Sequence, residues 1–279
     1  MHGLGNDFVV IDAISQKLNL TTEQVCFIAD RHFGVGCDQL LLVEAPDLET
    51  VDFKYRIFNA DGSEVEQCGN GARCFARFVR EKKLTTKSSI VVQTYSGLIT
   101  LLITEDNEVI VNMGKPDFTP ENLPFVPAKG DSPSDNRYTL AIKNNISNEI
   151  QPVEFSAVSM GNPHITIKVD DIDHYPVQEV GKLLESHPSF PNRVNVGFMQ
   201  IINPQQIKLR VYERGSGETL ACGTGACAAV ANGVSHHWLD AQVKVILATG
   251  NLHIEWQQGE TPLMMTGPAN FVYEGQIIL

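Results

Sequence analysis

Two stretches of the chain announce their helices through apolar spacing. After Cys68, the apolar positions Ala72, Phe75, Ala76 and Val79 recur at i, i+3, i+4 and i+7, one face of an amphipathic helix. After Cys222, Ala226 to Ala231 are apolar with no polar side, which predicts a helix enclosed on all faces. Alternating or β-branched runs at 90–93, 98–103, 109–111, 164–169, 207–211 and 243–248 predict strands. Between 114 and 137 the pattern lapses: Pro116, Pro120, Pro124, Pro127 and Pro133 remove backbone donors and fix φ, so neither helix nor central strand fits. This stretch reads as a domain crossing with a surface loop.

The two sides of the crossing repeat one another. Glu64-x-x-x-Cys68-Gly69-Asn70-Gly71-Ala72 returns 154 residues later as Glu218-x-x-x-Cys222-Gly223-Thr224-Gly225-Ala226. Gly5-Asn6 before Phe8-Val9-Val10 returns 156 residues later as Gly161-Asn162 before His164-Ile165-Thr166. Two matches at nearly one offset indicate a duplication. Each half then reads as an α/β (α+β) unit, a curved sheet wrapped around one helix with a cysteine at that helix's N-terminus.

Composition narrows the class. At 279 residues, 43% hydrophobic and 19% charged, the chain can bury a substantial core. A net charge of −12 without a Lys/Arg cluster argues against nucleic acid as a partner. No run approaches the roughly 18 apolar residues of a membrane span, and the start MHGLGNDF lacks the features of a secretory leader. Six cysteines without a C-x-x-C pair suit neither a disulfide scaffold nor structural zinc, so no metal is expected. A cytoplasmic protein with reduced thiols is the expectation.

The chemistry is sought at the duplicated turns. A helix N-terminus leaves backbone N–H groups unpaired and carries partial positive charge, so each turn offers an anion cradle and a thiol drawn below about 8.5. A lone Cys before Gly is more often a small packing residue; the duplicated unit is what points to function. Inverting a stereocentre at Cα needs a base on one face and an acid on the other, and a thiolate with a thiol supplies both. The carbanion spreads into the adjacent carboxylate, whose developing charge the two sets of N–H groups would hold. Pyridoxal phosphate, the usual electron sink, is then unnecessary, and no cofactor is expected. Cys74 and Cys227 fall inside the helices and read as packing, as do the unduplicated Cys26 and Cys37. His2, His236 and His237 receive no role.

These residues resemble diaminopimelate epimerase over essentially the whole chain. The resemblance is carried by Met1-His2-Gly3-Leu4-Gly5-Asn6-Asp7-Phe8, Arg31-His32-Phe33-Gly34-Val35-Gly36-Cys37-Asp38-Gln39, Phe58-Asn59-Ala60-Asp61-Gly62-Ser63 and Gln67-Cys68-Gly69-Asn70-Gly71-Ala72-Arg73. It continues in Gly161-Asn162-Pro163-His164, Val194-Asn195, Tyr212-Glu213-Arg214-Gly215 and Ala221-Cys222-Gly223-Thr224-Gly225-Ala226. The resemblance implies an isomerase of lysine and peptidoglycan precursor biosynthesis that interconverts LL- and meso-diaminopimelate. It implies two similar, mostly antiparallel domains, 1–115 and 116–267, with 268–279 returning to the first and the active site in the cleft between them. Cys68 and Cys222 would be the catalytic pair, with His164 and Glu213 tuning their pKa. Asn6, Gln39, Asn59, Asn162, Asn195, Glu213 and Arg214 would line the substrate pocket, while Gly69, Asn70, Gly223 and Thr224 would hold the reacting carboxylate. A homodimer contacting through Tyr273 is also implied. Similar sequences usually carry several residues before the Met1-His2-Gly3 motif, so either the start is shortened here or the first strand is weaker.

Several alternatives stay open on residues alone. A proline or hydroxyproline racemase would share the two cysteines, but a one-headed substrate has no need of Arg214 with four pocket asparagines. A phenazine-biosynthesis-like isomerase would not need the paired thiols. A thiol redox sensor or an amino-acid-binding protein would show no turnover.

Overall fold

A computed structural model describes residues 1–65, 68–95, 97–127, 133–143 and 150–279. Gln67 of the cysteine motif and residues 128–132 of the proline-rich stretch lie outside the described residues. The chain divides into two compact units, one formed by Met1–Asn112 with Thr266–Leu279 and the other by Met113–Met265.

The first unit starts with β1 (His2–Gly3) and β2 (Asn6–Asp12), joined by a tight turn in which Leu4 and Gly5 take positive φ. β1 is only two residues long, and a bridge from His2 to Asn270 of the C-terminal segment steadies it. α1 (Thr22–Ala29), opened by a Thr21/Gln24 capping box, carries the chain to β3 (Gln39–Glu44), which pairs parallel to β2. β4 (Phe53–Asn59) returns antiparallel to β3 and forms a hairpin with β5 (Glu64–Val65). α2 (Gly69–Glu81) then crosses to β6 (Ser89–Thr94), parallel to β4, followed antiparallel by β7 (Gly97–Ile103) and β8 (Val109–Asn112).

The second unit repeats this order. β9 (Tyr138–Lys143), β10 (Ile150–Ser159) and β11 (Pro163–Lys168) pair antiparallel in succession. α3 (Val177–Glu185) crosses to β12 (Asn195–Asn203), parallel to β11, and β13 (Gln206–Glu213) returns antiparallel. A short hairpin strand, β14 (Gly217–Thr219), precedes α4 (Gly223–Ser235), which crosses to β15 (Gln242–Leu247), parallel to β13 and hairpinned with β16 (Gly250–Glu255). Antiparallel pairings predominate, and each parallel pair described above is bridged by a helix, as parallel strands require.

The duplication reaches the level of register. Phe8 pairs with Gln39 and His164 with Asn195, both members shifted by 156 (164 − 8 and 195 − 39). Ile57 pairs with Val65 and Val211 with Thr219, both shifted by 154 (211 − 57 and 219 − 65). Arg56 grips Glu64 through two bonds of 2.8 Å, and Arg210 grips Glu218 through bonds of 2.6 and 3.0 Å. The duplicated glutamates therefore tie each hairpin together just before its cysteine, with the fork geometry that suits a carboxylate.

Both helices run where their patterns place them. Ala72, Phe75, Ala76 and Val79 are fully buried, and α2 packs against β1, β2, β3, β7 and β8. α4 is apolar all round because β10, β11, β12, β13 and β16 enclose it, leaving Ala226 to Ala231 essentially without exposure. The proline-rich stretch makes single 3-10 turns at Pro120–Asn122 and Pro133–Asp135 instead of helix or strand. Among the described residues no helix is long and apolar enough to cross a membrane.

Candidate active site

Each unit presents its cysteine as the N-cap of its central helix. Cys68 stands in extended conformation (φ −139°, ψ 118°) before α2, and Cys222 does the same (φ −122°, ψ 112°) before α4. Helix geometry leaves the N–H groups of Gly69 and Asn70, and of Gly223 and Thr224, without intrahelical acceptors. The second glycine of each motif lets the helix start press onto the sheet. A Cβ on Gly71 would sit 3.2 Å from Ile57 and 3.3 Å from Phe8; one on Gly225 would sit 3.0 Å from Val211 and 3.2 Å from the Cys222 sulfur.

In the first unit the half-buried Cys68 thiol donates to Asn6 Oδ1 at 3.8 Å. The same oxygen accepts from Asn70 Nδ2 at 3.1 Å, while Asn6 Nδ2 donates to Asp38 Oδ2 at 2.9 Å. Asp38 and Asp7 are held in turn by Arg31, at 2.7 and 2.8 Å. Gln39 and Asn59, opposite each other across β3 and β4, are joined by a bond of 3.0 Å.

The second unit joins the counterpart residues through a different corner. Asn162 Nδ2 donates to Thr224 Oγ1 at 3.5 Å, and Thr224 Oγ1 lies 3.6 Å from the Cys222 sulfur. Asn162, Thr224 and Cys222 are the repeat counterparts of Asn6, Asn70 and Cys68. What braces the triangle differs: here His164 Nε2 bonds Asn162 Oδ1 at 2.9 Å. His164 is 1% exposed, and burial first, then the Arg214 charge, pushes it down to about 3, so the ring is neutral and donates through Nε2. It is linked to Cys222 through Asn162 and Thr224. The buried Asn195 spends its amide on the Pro163 carbonyl (3.0 Å) and the Arg214 backbone N–H (2.9 Å), thereby holding the exposed Arg214 in place.

The expectation that both thiols are drawn below the ordinary range fails at Cys222, which is pushed well up. Burial is the largest cause and the neighbouring Glu213 carboxylate the next; together they outweigh the Thr224 hydroxyl and the Gly225 N–H, which reaches the sulfur at 3.3 Å. Glu213 is itself held by the Thr219 hydroxyl. Cys222 is thus buried beside a carboxylate, whereas Cys68 is half-buried. If Cys222 serves as the acid, the alkaline limb of the rate profile reports its ionisation. Glu213→Gln removes an opposing charge, eases that ionisation, and is expected to move the limb to lower pH, as a pH profile of kcat/KM will show.

Sequence reasoning passed over several contributors: Arg73, Asp38, Thr219 and Tyr55, the last wholly buried with its ionisation raised by burial and by adjacent Cys68. Arg31, Asp7 and Asp38 were visible as opposite charges within the quoted motifs; Thr219 gave no signal. Tyr273 is 65% exposed in the C-terminal segment.

A family model described as Diaminopimelate epimerase matches residues 1–119 and 156–272. The chain belongs to the diaminopimelate epimerase family. It is 56% identical to the Diaminopimelate epimerase of Teredinibacter turnerae over 280 residues, covering 100% of this chain and 98% of that one. To the Diaminopimelate epimerase of Cupriavidus pinatubonensis it is 53% identical, covering 100% and 96%. Among solved structures, a PhzF-family phenazine biosynthesis protein from Bacillus anthracis has a TM-score of 0.67 at 18% identity, covering 100% of this chain and 95% of that one. A probable proline racemase from Agrobacterium radiobacter has a TM-score of 0.68 at 14% identity, covering 100% and 91%. These two share the fold; the full-length relatives separate this member of the epimerase family from both alternatives weighed above.

Proposed function

We propose that the chain interconverts LL- and meso-2,6-diaminopimelate by a two-thiol mechanism without pyridoxal phosphate. The observation that carries this reading is the duplicated triangle: a cysteine at a helix N-terminus, an Asn or Thr on that helix, and an Asn entering a neighbouring strand, once in each unit. One thiolate takes the α-proton while the other thiol delivers a proton to the opposite face of the same Cα. The pair finishes with its protonation exchanged, ready for the reverse reaction. The electron pair left on Cα passes into the adjacent carboxylate, and the N–H groups of Gly69, Asn70, Gly223 and Thr224 are the donors suited to the charge that develops.

The remote amino-acid head needs acceptors for its ammonium and a cation for its carboxylate. Gln39, Asn59 and Glu213 offer acceptors, and Arg214, braced by Asn195, offers a fork for a carboxylate. A site that bonds this head would favour diaminopimelate over a one-headed amino acid, because polar groups left unpaired are penalised. We place the reaction in the cytoplasm, in lysine and peptidoglycan precursor synthesis, with a homodimer contacting through Tyr273 and with neither nucleic acid nor membrane as partner.

The test is incubation with each diaminopimelate epimer in deuterium oxide, without pyridoxal phosphate, with proline in parallel. Deuterium is expected at one Cα only, accompanied by inversion there. Inversion of proline in its place would establish the racemase alternative, and tight binding of diaminopimelate without exchange would establish a binding protein.

A further inference from the structure

The helix that begins at Cys68 buries a charge. Arg73 has no exposed surface, although one turn of α2 separates it from the thiol. Its Nε donates to the Pro268 carbonyl at 3.1 Å, its Nη1 to the Gly69 carbonyl at 3.4 Å, and its Nη2 to Asn70 Oδ1 at 2.9 Å. Gly3 closes over it so tightly that a Cβ there would lie 3.1 Å from Nη2. Asn70, with its oxygen held this way, must present its NH₂ to Asn6, and it does so at 3.1 Å. Asn6 Oδ1 then receives the Cys68 thiol.

The repeat shows that a helix of this kind closes without an arginine at this position. Its counterpart 154 residues later is Cys227, also wholly buried, in a helix of the same length. There the triangle is braced from the opposite corner, by His164 on Asn162. Burying a guanidinium carries a desolvation penalty that a small apolar side chain avoids. Under Cys68 the guanidinium gives one bond to Pro268 of the returning segment and turns both its Nη groups on the cysteine turn, at Gly69 and Asn70.

We infer that Arg73 is a positioning residue for Cys68: its guanidinium fixes the Asn70–Asn6 pair that orients the thiol, and its positive charge beneath the turn favours the thiolate more than the long 3.8 Å bond to Asn6 Oδ1 favours the thiol. The inference rests on the two-thiol reading above. Other titratable groups face the turn. Tyr55 approaches from β4, Asp38 binds Asn6, and the Met1 ammonium and Cys74 lie alongside Arg73. Burial raises the ionisation of both Tyr55 and Cys74, the latter to about 12.

The experiment uses the full chain carrying Arg73→Met, Arg73→Lys or Asn70→Ala. It measures kcat and KM for diaminopimelate and the pH dependence of Cys68 alkylation by iodoacetamide, quantified by peptide mass spectrometry with Cys26 as internal reference. Arg73→Met is expected to lower kcat about a hundredfold, the scale of an ångström's misplacement of a reacting group, with KM little changed and the Cys68 profile moved to higher pH. Arg73→Lys restores the profile but not kcat, because one ammonium cannot reproduce the fork; Asn70→Ala lowers kcat with the guanidinium retained. A folded Arg73→Met protein with unchanged kcat and unchanged Cys68 profile overturns the inference. Should that variant not fold, wild-type kcat in Asn70→Ala overturns it instead. Labelling needs no substrate, so a shifted profile in a chain with no epimerase activity would refute the reaction while sparing the brace.

Discussion

Cys68→Ala and Cys222→Ala are each expected to slow epimerisation about a thousandfold or more in both directions, within the range carried by a positioned acid or base. Combining them should add little, because the two thiols serve one step. The informative signal is what each single variant keeps. A lone thiol can remove the α-proton of whichever epimer presents it and return a solvent-derived one to the same face. In deuterium oxide this gives exchange without inversion, with one epimer for Cys68→Ala and the other for Cys222→Ala. The residual rates should differ: in Cys68→Ala the only base is Cys222, whose ionisation burial and Glu213 oppose. That variant should be the slower exchanger near neutral pH and should gain more as pH rises. Epimerisation within tenfold of wild type in either variant would sink the two-thiol mechanism.

This asymmetry lies outside the two cysteine turns. Cys-Gly-Asn-Gly-Ala and Cys-Gly-Thr-Gly-Ala differ at one position, and their shared helix-start physics predicts two similar thiols. What separates them arrives from elsewhere: Glu213 at the end of β13, and the depth to which Cys222 is buried. The helices themselves were legible, because apolar spacing along α2 and the absence of a polar face on α4 are local properties that burial then obeys. Strands such as β7 and β15 were legible for the same reason. Arg73 was not. In the α2 pattern it occupies a position without apolar character, yet it is buried because Pro268, 195 residues away, supplies an acceptor. The role of Asn195 depends likewise on the parallel pairing of β11 with β12, a crossover connection that periodicity cannot register. The duplication, by contrast, could be read from two short strings, and it extends to strand register and to the Arg–Glu pairs.

The second large effect is on stability and comes from His164. Its folded pKa of about 3 lies far below the unfolded value near 6.5, because burial opposes its charge and Arg214 adds repulsion. The unfolded chain therefore binds a proton that the folded chain refuses, and folding stability falls as pH drops below about 6.5. At about 1.4 kcal/mol per pH unit, this one ring removes roughly 3 kcal/mol between pH 6.5 and pH 4. His187 and His236, both lowered by burial, act in the same direction over the same window. Carboxylates held low by their partners, such as Asp52 with Lys87 and Glu64 with Arg56, contribute stability that begins to be lost as pH falls below about 5, equally in the wild-type chain and in a His164 variant, so the difference between the two reports the ring. Urea unfolding from pH 4 to pH 7 should thus show a steep decline in the wild-type chain and a much flatter one in His164→Gln, whose neutral amide can still donate to Asn162. Equal slopes in the two proteins would mean that His164 accepts its proton in the folded state. The neutral brace on Asn162, and with it the contrast between the two thiol triangles, would then have to be abandoned.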